Sequence, residues 1–87
     1  MSWKVKISKQ AREDLDFFRA YRNDIYHECY RMTKALKLEP YSGPGKPTNA
    51  PILGNNVWYR RSSLEDRMVY EIFEGLVVVA SYRLHIE

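Results

Sequence analysis

All four prolines and three of the four glycines of this 87-residue chain fall within residues 39–56, EPYSGPGKPTNAPILGNN. Proline fixes φ and removes a backbone donor, and glycine weakens helix and strand alike. No regular element of any length runs through such a stretch. The chain must therefore fold as two halves joined by a loop. Eighty-seven residues support only one hydrophobic core, so both halves must pack as a single domain, 1–87. Loops longer than about 12–15 residues are usually functional or disordered. This one is expected to lie on the body of the domain, with Ile52 and Leu53 dipping into the core.

Ahead of the loop, Trp3 to Ile7 alternates apolar and charged residues and predicts a half-buried strand. Ser8 is suited to cap a helix that carries Glu13 and Asp14 early on. Ile7, Ala11, Leu15 and Phe18 fall on one face of it. Asn23 is suited to cap a second helix, in which Ile25, Cys29, Met32 and Leu36 recur at helical spacing. Pro40 ends that helix, because the residue before a proline avoids the helical region. Beyond the loop, Val57–Ser62, Arg67–Phe73 and Leu76–Leu84 read as three strands. The order β-α-α-β-β-β predicts an α+β fold, two helices packed on an antiparallel-rich sheet.

The last hairpin offers two registers. A three-residue loop, Phe73-Glu74-Gly75 with Gly75 left-handed, pairs Ile72 with Leu76. It gathers Met68, Tyr70, Ile72, Leu76, Val78, Ala80, Tyr82 and Leu84 on one apolar face. A two-residue turn mixes apolar and charged residues on each face. The pattern therefore selects the three-residue turn, which places Arg67, Arg83 and His85 together on the other face.

Composition narrows the function. The chain is 45% hydrophobic, as globular domains are. Its longest apolar run, Leu76–Ala80, is far short of the ~20 residues of a membrane span. One cysteine, Cys29, cannot form an internal disulfide, and no Cys/His cluster suggests a metal. The opening residues lack the apolar stretch of a secretory signal, so the expected compartment is the cytoplasm. The net charge of +3 is unevenly spread. Residues 40–63 carry Lys46, Arg60 and Arg61 and no acid. A basic, aromatic-rich middle suits nucleic acid better than a membrane.

His85 is the candidate general acid or base, since imidazole exchanges protons near neutrality. Spacing alone favours a simpler assignment, a solvated residue near the end of the chain. Arg67 and Arg83, with Arg60, Arg61 and Lys46, form a candidate phosphate-binding set, weighed against a solvated edge with weak surface ion pairs. Trp58 and Tyr59 lie on opposite sides of their strand, so only one can face such a site; core is the default for each. GPGKP at 43–47 lacks the spacing of a phosphate-binding P-loop and reads as a rigid turn presenting Lys46. Cys29 sits on an apolar stripe and is expected as a packed thiol.

Taken together, G-x-G-K-P at 43–47, W-x-R-R at 58–61, E-x-R-x-V-Y at 65–70 and R-x-H at 83–85 make an ordered set. With it the chain resembles the RelE/ParE superfamily of small bacterial toxins, and most closely its YoeB (Txe) branch. The resemblance implies a microbial-ribonuclease-like fold and ribosome-dependent, metal-free cleavage of mRNA without a cofactor. It implies a cognate antitoxin of the YefM/Phd kind as partner, besides the ribosome and mRNA. By motif, Arg67 corresponds to the phosphate-stabilising arginine and His85 to the general acid. Lys46, Arg60 and Arg61 match basic positions facing RNA, and Arg83 joins them as an expected RNA contact.

The chain departs from that pattern at two places. The glutamate that serves such toxins as general base is replaced by Thr48, whose hydroxyl is no base at neutral pH. The usual closing His-Tyr is replaced by His85-Ile86, followed by Glu87. Loss of a general base typically costs roughly 10²–10⁴-fold in rate. Two functions follow as expectations: a ribosome-associated mRNA endoribonuclease, or a toxin-fold protein that inhibits by occupying a ribosome or a topoisomerase. A DNA-binding module is a third, weaker expectation, since no helix concentrates base-reading residues. Exposed aromatics and a small core also allow a homodimer.

Overall fold

The computed structural model describes residues 2–84. Strand β1, Lys4–Ile7, leads into helix α1, Lys9–Tyr21, through Ser8. Ser8 caps the helix as expected, its hydroxyl accepting the N–H of Ala11 at 3.1 Å. Helix α2 spans Asn23–Leu36. Its cap is Arg22 rather than Asn23, and Arg22 makes no side-chain capping bond. The Arg22 guanidinium instead grips the Asp24 carboxylate of the first turn. This pair lowers the Asp24 carboxyl pKa, mainly through that hydrogen bond.

Strands β2 (Thr48–Asn49), β3 (Val57–Arg61), β4 (Arg67–Phe73) and β5 (Leu76–Leu84) follow. The sheet order is β1-β5-β4-β3-β2, with β1 parallel to β5 and the other pairs antiparallel. The fold is the expected α+β arrangement with one strand more than the sequence pattern gave. Strand β2 is only two residues long and lies inside the Pro/Gly-rich loop. That is too short for any alternation to show.

Helices α1 and α2 cover one face of the sheet. The stripe Ile25, Cys29, Met32, Leu36 is fully in the core, with Ala11 and Phe18 of α1. From the sheet come Met68, Tyr70, Ile72, Val77, Val79 and Tyr82. A smaller apolar cluster, Ala50, Val57 and Val69 with Tyr59 against it, lies on the other face. Ile52 and Leu53 do not enter either core: Ile52 is 93% and Leu53 46% exposed. The loop is instead fastened by buried Pro40 and Ala50. Among the described residues no helix is long and apolar enough to cross a membrane.

The hairpin register differs from the expected one. Gly75 is left-handed, at φ 71°. However, Phe73 pairs with Leu76 and Ile72 with Val77 across a two-residue turn. Val77 and Val79 are therefore the buried pair, while Ala80 is exposed. Two irregularities then reset the alternation. Val79 faces Tyr70, Ser81 faces Val69 and Leu84 faces Arg67. In each interval β5 carries one residue more than β4, which is the signature of a β-bulge. A regular strand could not bury both Val79 and Tyr82; the first bulge makes it possible. The sequence pattern missed this because both faces of Leu76–Val79 are apolar and leave the register unmarked.

Candidate functional site

Strand alternation divides the basic residues of β3. Trp58 and Arg60 pair with Tyr70 and Met68 on the helix side, whereas Tyr59 and Arg61 pair with Val69 and Arg67 on the open side. Trp58 packs against the main core and meets Tyr41 edge-on, ring centroids 5.3 Å apart. Of the two, Tyr59 is the one on the open face. The division expected for this pair is the one observed.

Arg60 overturns its expected place among the RNA contacts. It is fully buried. Its Nε donates to the Tyr70 hydroxyl at 3.1 Å and Nη1 to the Pro44 carbonyl at 3.2 Å. Nη2 donates to the carbonyls of Glu39 at 2.9 Å and Ser42 at 2.8 Å. The Tyr70 hydroxyl in turn donates to the Pro40 carbonyl at 2.8 Å. A loop rich in proline is poor in N–H donors, and its inward carbonyls still need partners. One planar, multi-donor guanidinium supplies them. Burial raises the Tyr70 phenol pKa, partly offset by the Arg60 hydrogen bond.

That anchor fixes what the loop presents. The Arg61 N–H donates to the Gly45 carbonyl at 2.7 Å, fastening the GPGKP turn to the end of β3. Gly45 has φ 87°, and a Cβ there would come within 2.6 Å of Met32 Sδ, so both conformation and space require glycine. Lys46 follows in the left-handed region, at φ 54°, and is exposed. The turn presents an exposed Lys46, as the sequence suggests. Thr48 pairs with Tyr59 and so shares its open face. Its hydroxyl donates to the Lys46 carbonyl at 2.9 Å.

Arg67 begins β4 directly opposite Arg61. It is 8% exposed, and its Nη1 donates to the carbonyls of Ser63, Leu64 and Asp66 at 3.2–3.3 Å. The turn that offers these carbonyls is held by Ser63, whose hydroxyl accepts the Asp66 N–H at 2.9 Å. Thr48, Tyr59, Arg61 and Arg67 thus lie on the open face of three adjacent strands, with Lys46 in the turn fastened beside them.

Arg83 does not join this set. Its guanidinium lies 3.7 Å from the Phe17 ring centroid and 5.9 Å from that of Phe18, on the α1 side. The expected common face of Arg67 and Arg83 fails because of the second bulge, which lets Tyr82 and Arg83 both turn towards the helices. His85 lies outside the described residues, as do Ile86 and Glu87. The sequence reading has Asp14 only as an acid early in the first helix and misses its place in the core. Asp14 is buried at 4% exposure, in the apolar stripe between Ala11 and Phe18. Its signal was a charge at a core position of the helical repeat.

The site geometry is joined by a match along the chain. The family described as the YoeB-like toxin of the bacterial type II toxin–antitoxin system matches residues 7–86. Toxin YoeB of Mycobacterium bovis is 30% identical over 83 residues, 93% of this chain and 95% of the relative. Toxin YoeB of Synechocystis is 26% identical over 82 residues, 94% and 95% of the two chains. The fold is also that of the YoeB dimer from Staphylococcus aureus, with a TM-score of 0.86 at 23% identity, over 99% of this chain and 100% of that one. A match over residues 7–86, which hold both helices and strands β2 to β5, leaves one conclusion: the chain belongs to the YoeB-like toxins of bacterial type II toxin–antitoxin systems.

Proposed function

We propose that the protein is a ribosome-dependent mRNA endoribonuclease that acts by attack of the 2′-hydroxyl on the adjacent phosphodiester. The observation that carries this reading is the cross-strand pair Arg61 and Arg67 on the open face. Like charges placed directly opposite each other are destabilising, and a bound phosphate removes the repulsion. In this reading Arg67 stabilises the phosphorane, with Nη1 held by the turn carbonyls and the rest of the guanidinium directed to phosphate. Arg61 and Lys46 contact the RNA backbone. His85 protonates the leaving 5′-oxygen as the P–O5′ bond breaks, and the proton of the attacking 2′-hydroxyl leaves to water. The reaction needs no metal, because the cations that stabilise the transition state are supplied by the chain.

Partners follow the same reading. A structure of a YoeB–YefM complex is known from Staphylococcus aureus, as is a YoeB dimer. We infer for this chain a cognate antitoxin of that kind, a homodimer, and action in the cytoplasm. A second reading, inhibition by occupancy without cleavage, is favoured by Thr48. Its hydroxyl is committed to the Lys46 carbonyl and offers no base.

Addition of the purified protein to a cell-free translation reaction, with mapping of mRNA 5′ ends, separates the two. Cleavage at A-site codons, lost in folded His85→Ala and Arg67→Ala variants, is the expected result. Arrest of translation without new 5′ ends would establish the second reading and overturn the first.

A further inference from the structure

We propose that the cleft between β1, α1 and α2 binds a small aromatic carboxylate, an apolar ring bearing one negative charge. The cleft lies on the helix side of the sheet, away from the open face, and the proposal does not depend on the ribonuclease reading.

Strand β1 is an edge of the sheet, and its Val5 and Ile7 turn towards the helices, where both stay only partly buried. Helix α1 leaves β1 after the single residue Ser8 and packs over β5 and against α2. The corner between β1 and α2 is left open, as a cleft of about 340 Å³. Small-molecule sites run from about 300 to 1,000 Å³ and combine apolar walls with a few placed polar groups.

This cleft has that division of labour. Strand β1 and helix α1 contribute Val5, Ile7 and Leu15, and α2 contributes the rings of Tyr26 and Tyr30. Thr33 and Tyr82 also line it, and their hydroxyls are satisfied from within. Thr33 donates to the Cys29 carbonyl at 2.7 Å, so its oxygen accepts the Tyr82 hydroxyl at 2.7 Å. Both protons are thereby used, and neither hydroxyl has a donor left for a ligand. The interior therefore suits an apolar body. Among the described residues that line the cleft, the only formal charges are those of Lys34 and Lys37, both exposed. Lys34 Nζ lies 5.7 Å from the Tyr30 ring centroid, which keeps the ammonium over an aromatic wall. Two ammonium groups with no carboxylate in the same lining call for an anion. Tyr26 and Tyr30 favour a ring over an alkyl chain, because aromatic pairs gain beyond the area they bury.

The test is titration of the isotope-labelled full chain with indole-3-acetate, followed by amide chemical shifts. Indole-3-acetamide serves as the neutral probe of the same shape. The acid is expected to bind at about 1 mM or tighter, as a well-seated ligand of this size does. It should shift Val5, Ile7, Leu15 and Thr33 and leave Tyr59, Arg61 and Arg67 unmoved. The amide should bind about 10-fold more weakly, the loss of one charge-assisted contact, and so should the acid to the Lys34→Gln/Lys37→Gln variant. Both lysines are exposed on the surface, so the variant keeps the fold, which its unligated spectrum checks. Equal affinity for acid and amide would overturn the proposal, since the lysines then recognise nothing. Shifts confined to the open face would do the same, by marking Arg61 and Arg67 as a general anion trap. Absence of any shift at the solubility limit of the acid would also end it. So would cleft shifts that follow protein concentration instead of ligand, which place a second copy of the chain in the cleft.

Discussion

Arg61 and Arg67 face each other across β3 and β4, two guanidinium-bearing residues in direct register on the face that the helices leave open. Such a pair trades stability for anion affinity. Arg61→Gln is expected to raise the unfolding free energy by about 0.5 kcal/mol while weakening binding of single-stranded RNA. Urea denaturation and fluorescence anisotropy measure the two effects, which must have opposite signs.

Its neighbour in sequence behaves in the opposite way. Arg60→Ala strips donors from three loop carbonyls and from the Tyr70 hydroxyl. Each buried acceptor left bare costs of order 1–3 kcal/mol, so a loss of about 3 kcal/mol or more is expected in urea melts. A loss under about 1 kcal/mol would show that water replaces the guanidinium and that the loop needs no anchor.

Gly45→Ala introduces a methyl group against Met32 Sδ at a backbone angle that disfavours any side chain. Overpacking of this kind costs about 1–3 kcal/mol. The midpoint of thermal unfolding should fall, and Lys46 should lose its fixed position beside Arg61.

Burial raises the Tyr82 phenol pKa to about 12 and the Cys29 thiol pKa to about 12. Both folded values lie above the ordinary ones of 10.0 and 9.0. The stabilisation is therefore complete below about pH 9 and is lost as pH rises towards 12, because the unfolded chain releases these protons first. For Tyr82 alone the loss is of the order of 2 kcal/mol. Urea melts between pH 8 and pH 11 should show a falling alkaline limb. Tyr82→Phe should make it shallower and leave the Cys29 share in place; no donor is stranded by the change, since Thr33 still donates to the Cys29 carbonyl.

Thr48→Glu puts a carboxylate on the open face beside Tyr59. If the remainder of the site is intact, cleavage should rise by roughly 10²–10⁴-fold, the usual contribution of a general base. The quantity to follow is the rate of appearance of new 5′ ends. An unchanged rate would mean that the base comes from elsewhere or that cleavage is not the activity.

Much of this was legible in the residues. The apolar stripe of α2, the Ser8 cap and the breaking of the chain at 39–56 are local patterns, and local patterns are what a sequence displays. The failures are equally specific. Arg60 and Arg61 look alike on paper, and only the pleat of β3 sends one inward. The β5 register could not be read because Leu76–Val79 is apolar on both faces. Arg83 was assigned to the wrong side for the same reason, compounded by a bulge that no residue type announces. Asp14 was visible as a charge in an apolar stripe, but its partner is a backbone amide 68 positions away. Such pairings are fixed by tertiary structure alone.

The bulges also determine where this chain can change its length. Removing Ala80 would erase the first irregularity and still leave Ser81 against Val69 and Leu84 against Arg67. An insertion in the same stretch has a ready place to loop out. Strand β4 has no such slack: removing Val69 would turn Arg67 to the helix side, where Met68 now packs. Single-residue gaps among relatives of this protein should therefore accumulate between Val79 and Leu84 and be absent between Arg67 and Ile72.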